Sequence, residues 1–277
     1  MGEVRKTYSE LAGDLDQLET SYLQDALEEI TSGTTCFGYM DEWTNWFHYL
    51  APRLVQRSSD SYVYYLYEHL VSAFMALYPD ETRIDERDNA LAKDIFCGLA
   101  LAPMDPSRWH NGAPCFEKTM YSYQYAKTGH NPWTEVSGDI AAGASLCYKY
   151  LSCDELGPWI DSALAINEVH FRTQLLLWCV EAEPLLSGKI RRISKLPEDS
   201  GPSWAWSHAL SGKVPEASGG DRGWDYVDST KLDEKRSVVC KVLRQIDLDK
   251  HWLEVESYSY LLEPAEKVLD SIPLLYD

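Results

Sequence analysis

Active-site signatures are what this sequence lacks. It holds no H-E-x-x-H and no C-x-x-C, so the common zinc arrangements have no local footing. It has no G-x-x-x-x-G-K-[ST] and no G-x-G-x-x-G, so a P-loop and a dinucleotide fingerprint are both missing. No G-x-S-x-G nucleophile elbow occurs. No apolar run approaches 18 residues, so no membrane span is expected. The opening "MGEVRKTYSELAGDLDQLE" has no apolar h-region, and Lys6 stands where myristoylation needs Ser or Thr. Neither a signal peptide nor an N-terminal lipid is expected.

Positive charge is scarce as well. Twenty-five Lys and Arg face 44 Asp and Glu, giving a net charge of −19 and a pI near 4.7. Such a chain repels phosphate backbones, so nucleic acid is not expected as a partner. A basic protein partner would be attracted and steered. Solubility alone would also account for an acidic chain. The first hundred residues are the most electronegative part, at net −11.

Cysteine is present but unpatterned. The seven are Cys36, Cys97, Cys115, Cys147, Cys153, Cys179 and Cys240. The odd number, wide spacing and apolar contexts such as "DIFCGLAL" and "LLLWCVEA" point to reduced, buried thiols and a cytoplasmic location.

What the sequence does have is helical periodicity and aromatic rings. A length of 277 residues allows one large domain or two smaller ones. Leu11, Leu15, Leu18, Tyr22, Ala26 and Ile30 predict an amphipathic helix over 10–31 that stops at Gly33. In "EWTNWFHYLAPRL" (42–54), Trp43, Trp46, Phe47, Leu50 and Leu54 share one helical face. Asp41 is the expected cap, and Pro52 should bend or end that helix. Residues 60–78 are apolar nearly all round and belong at the centre of the fold. Further helices are expected over 86–101, 135–150, 154–166, 168–187, 231–247 and 250–263, with "SCDE" (152–155) a capping box and Asp249 a cap. "QLLLWCV" (174–180) could stand as a buried strand, but its length and neighbours favour a buried helix.

Two stretches, 102–134 and 188–229, are rich in Pro and Gly and too long for ordinary connections. The fold class that follows is all-α: an irregular α-solenoid of HEAT-like type, or a multi-helix bundle of antiparallel pairs, with two long structured loops. A single domain over 1–277 is expected, with a division into 1–101 and 135–277 joined by 102–134 left open.

Candidate chemistry is thin. His48 lies about 140° from Trp43 on a helical wheel, with no local nucleophile or carboxylate partner, so packing or a hydrogen bond to another helix is its expected role. His110, Cys115 and His130 share one irregular segment, but their spacing fits no zinc pattern, and no metal or cofactor is expected. Glu168 and His170 are two apart and so on different helix faces. Six Trp fall outside the strong helix stripes: Trp109, Trp133, Trp159, Trp204, Trp206 and Trp224. Rings of this kind either tuck inward or anchor an interface.

Three segments carry a family resemblance. "CFGYMDEWTNWFHYLAPRLV" (36–55), "LLSGKI" (185–190) and "PSWAWSHALSG" (202–212) resemble a family of uncharacterised bacterial helical proteins encoded beside polymorphic toxin genes of the Rhs and secretion-system kind. The likeness runs in order from about residue 20 to 212. Its motifs are aromatic and structural, with no catalytic signature, and the C-terminal part with its Gly-rich 218–223 loop does not align. The resemblance implies an immunity protein that binds a cognate toxin domain, basic in character, and neutralises it by contact. Two surfaces are candidates for that contact. One is the acidic turn of Asp80, Glu81, Asp85, Glu86 and Asp88. The other is the aromatic segment of Trp204, Trp206 and His208. A helical scaffold for an endogenous partner is the alternative, and an enzyme reversing toxin damage, centred on His110–His130, is a third reading.

Overall fold

A computed structural model describes residues 40–56, 67–78, 90–104, 109–110, 113–114, 138–187 and 232–276, together with Leu11, Gly13, Asp14 and Gln17. The chain is all-α. Nine α-helices occur among the described residues: α1 Met40–Gln56, α2 Tyr67–Leu77, α3 Ala90–Leu101, α4 Gly138–Tyr150, α5 Cys153–Leu164, α6 Val169–Leu186, α7 Leu232–Leu243, α8 Leu248–Val255 and α9 Leu262–Tyr276. The only extended pairing described is two residues long on each side, Trp109–His110 against Ala113–Pro114.

Among the described helices the larger contacts skip one, α1 on α3, α2 on α4, α4 on α6 and α5 on α7, with smaller ones between neighbours such as α1 and α2 or α3 and α4. A stack of helix pairs has that pattern. Helix α6 departs from it, touching α4, α5, α7, α8 and α9. Its sequence explains the position. From Val169 to Val180 every residue except Arg172 is buried, so it is apolar on all sides and must be enclosed. One continuous core runs from Leu11 and Phe47 through Phe74, Phe96 and Leu146 to Trp178, Val239 and Tyr276.

The stripe expected on α1 is buried at Trp46, Phe47, Leu50 and Leu54. Pro52 does not end this helix, which runs four residues further to Gln56, and Asp41 falls inside it rather than at the cap. Where α1 meets α3 the backbones come close: a Cβ on Gly98 would sit 1.9 Å from Val55 Cγ1. The "SCDE" segment behaves as its pattern requires. The Glu155 carboxylate accepts from the Ser152 N–H (3.0 Å) and hydroxyl (2.8 Å), and those bonds hold its pKa below the usual carboxylate range.

The C-terminal part differs most from expectation. The helix expected over 250–263 is two: α8, then a turn and a 3₁₀ segment Ser259–Leu261, then α9. The cap of α8 is Asp247, whose carboxylate accepts from the Lys250 N–H at 2.9 Å, not Asp249, which lies in the first turn. Most of the helix expected over 10–31, and the stretches 57–66, 79–89, 115–137 and 188–231, lie outside the described residues.

Candidate functional site

Every residue proposed from sequence for partner contact lies outside the described residues: Asp80, Glu81, Asp85, Glu86, Asp88, Trp204, Trp206 and His208. The His110, Cys115 and His130 side chains do too. Trp159, counted among the loop rings, is instead in α5, half-buried against the core. Two polar arrangements are described in full, and neither is visible in any local motif.

The first is a cleft of about 310 Å³ between α5, α6 and α8. Leu164, Ala165, Leu176 and Ile246 give it an apolar lining; Asp161, Arg172, Asp247, Lys250, His251 and Glu254 give it charge and polarity. Arg172 pairs with Glu254 across 82 residues of sequence and donates to the Ile166 carbonyl at 3.2 Å. Burial lowers the Arg172 pKa and raises that of Glu168 nearby, which Arg172 partly offsets.

His251 is 5 % exposed. Its Nε2 is 3.2 Å from Thr173 Oγ1, and the Thr173 hydroxyl donates its one proton to the Val169 carbonyl at 2.8 Å. Thr173 can therefore only accept from the ring, so Nε2 carries the proton and Nδ1 is the lone-pair nitrogen. Burial, then the Arg172 charge, lowers the His251 pKa to about 4. The ring is neutral at pH 7. This is not a base–nucleophile dyad, because the hydroxyl proton is already committed to the backbone. It ties α6 to α8.

The second arrangement is a basic row on α7. Lys235 is 5 % exposed, and its Nζ donates to the Tyr148 and Lys149 carbonyls at 2.7 and 2.6 Å, closing the C-terminus of α4. Arg236 donates to the Leu275 carbonyl at 2.9 Å and pairs at 3.2 Å with Glu183, which is only 1 % exposed. Arg244 donates to the Tyr276 carbonyl at 2.8 Å. With Arg244 just past its end, α7 thus brings cations to the ends of two other helices.

Elsewhere His48 hydrogen-bonds the Tyr78 hydroxyl at 2.6 Å, the inter-helix tie expected of it. Burial lowers the His48 pKa and raises that of Tyr78. His170 meets the Tyr260 hydroxyl at 2.5 Å and lies far from Glu168 in role. Cys147, Cys179 and Cys240 are buried free thiols, but Cys97, expected to be buried from "DIFCGLAL", is exposed; burial raises Cys147 and Cys179, the latter to about 12. No cluster of His, Cys, Asp and Glu able to hold a metal occurs among the described residues. Among those residues, too, no helix is long and apolar enough to cross a membrane. Compared with protein-family models, with curated proteins and with solved structures, the chain matches none.

Proposed function

We propose that this chain is an immunity protein that binds a cognate bacterial toxin domain in the cytoplasm and neutralises it by contact through an acidic surface. The observation that carries this reading is the excess of exposed acids. Lys149 and Lys235 are buried, and Arg236 is drawn onto Glu183 and a helix end. Asp154, Asp161, Asp233, Glu234, Glu256 and Glu266 are all exposed. With two lysines and one carboxylate, Glu183, buried, the described surface is only one charge more negative than its composition, and the excess of exposed acids itself supplies the negative field. An acidic face attracts a basic partner over many ångströms and can occupy a basic cleft built for phosphates or nucleotides. The family resemblance at 36–55, 185–190 and 202–212 supports the same role. The next-but-one packing fits an irregular, HEAT-like array, an architecture that offers broad surfaces to protein partners.

The test is co-expression with the toxin encoded beside the gene. Growth should be rescued, and the two chains should co-purify. Absence of both rescue and complex would sink the reading. Recovery of an endogenous housekeeping protein instead, with no protection, would turn it toward a scaffold.

A further inference from the structure

We propose that the cleft between α5, α6 and α8 is a socket for one arginine side chain of a basic protein partner. This rests on the partner-binding reading above and adds where one contact is made. Among the described residues, the Asp161 carboxylate makes no hydrogen bond or ion pair, and it is exposed at the rim. His251 is 5 % exposed and has one partner, Thr173, at Nε2. The hydroxyl of Thr173 fixes Nε2 as the donor, so Nδ1 is an acceptor that no described group serves. Asp247 gives one carboxylate oxygen to the Lys250 N–H and keeps further acceptor capacity. The cleft therefore holds unserved acceptors at Asp161, Asp247 and His251 beside one uncommitted donor group, the Lys250 ammonium.

A guanidinium offers five donors on a flat fork and no acceptor, and its three-carbon stem is apolar. Leu164, Leu176 and Ile246 line the cleft for that stem, and about 310 Å³ gives room for a single long side chain. Two cations share the lining. Arg172 is already neutralised by Glu254. Lys250 is exposed on a flexible stem and can swing outward. With Arg172 and Glu254 paired, the remaining charges are Asp161 and Asp247 against Lys250, a net of −1 that favours a cation. The net charge of −19 favours it again at long range.

Titration of the whole chain with Nα-acetyl-L-arginine amide, followed by NMR of the Leu164, Leu176 and Ile246 methyls and the His251 ring, tests the socket. Those resonances should move together and saturate in the millimolar range, as one side chain warrants. The neutral citrulline analogue should leave them in place. Asp161→Asn, which disturbs no described contact, should weaken arginine about threefold, the size of an exposed ion pair. Equal shifts from citrulline, or no shift at all, would overturn the socket. Neither outcome depends on the toxin, so a failed socket leaves the co-expression result standing, and a failed rescue leaves the NMR result standing.

Discussion

At the scale of single residues, the buried ionisable groups have measurable consequences. Folding holds the His251 pKa at about 4 rather than the ordinary 6.5. Below about 6.5 the unfolded chain takes up a proton that the folded chain refuses until about 4. The contribution is thus intact above 6.5 and is lost as pH falls through that window. The urea-unfolding free energy should fall by about 2–3 kcal/mol from this ring between pH 7 and 4.5. Carboxylates titrate there as well, so the comparison is with His251→Phe, whose profile should be flatter by that amount. An unchanged slope would mean the ring is protonated in the folded chain. Glu183 gives a second case. Arg236→Met should cost about 3 kcal/mol, because a carboxylate only 1 % exposed then loses its ion pair with Arg236. Adding Glu183→Gln should restore much of that; a double variant as unstable as the single would place the loss in the Leu275 cap instead. What was legible at this scale was what is local in sequence. The Ser152–Glu155 box spans three residues and could be read directly, as could the need of His48 for a partner on another helix. The Arg172–Glu254 pair and the Thr173–His251 tie join residues some eighty positions apart, and no spacing rule reaches that far.

At the scale of elements, most helices were readable, but α9 was missed. The stripe on α1 and the all-round apolarity of α6 follow from composition at 3.6-residue spacing. Proline misled at α1, where Pro52 sits inside the helix instead of ending it, whereas α5 and α6 were read through Pro158 and Pro184. Pro264 and Pro273 together disguised α9, although the first turn, where Pro264 lies, tolerates proline well. The asymmetry between glycine and alanine gives the test of this scale. In an open helix Gly98→Ala would stabilise by about 1 kcal/mol. Here the added methyl meets Val55 at 1.9 Å, so α1 and α3 must separate, and a net loss of about 1–3 kcal/mol is expected by thermal or urea unfolding. Val55→Ala in the same chain should remove the clash and recover the helical gain. A stabilised Gly98→Ala single variant would show that the two helices do not cross that closely.

At the scale of the whole molecule, acids outnumber bases 44 to 25, and some of the few bases are spent inside. A helix C-terminus presents carbonyls that need donors, and α7, with Arg244 just past its end, supplies them to α4 and α9 through Lys235, Arg236 and Arg244. That use of cations was hidden in the sequence, where α7 reads as a mixed-charge surface helix. Its effect is to spend three cations on helix ends, while Arg53, Lys93, Lys241, Lys250 and Lys267 stay exposed among the more numerous acids. If the outer field does the steering, association with the toxin should slow as salt rises, while dissociation changes little. The acidic turn can then be tested alone. Glu86→Lys with Asp88→Lys changes the charge by four units at one place and touches no packing described here. Stopped-flow association at low ionic strength should slow about tenfold, and the difference should shrink as salt screens it. Unchanged kinetics would remove the turn from the interface while leaving the excess of exposed acids intact. A salt-independent rate in the unaltered chain would go further, since a field that steers nothing gives no reason for the exterior to have been left so negative.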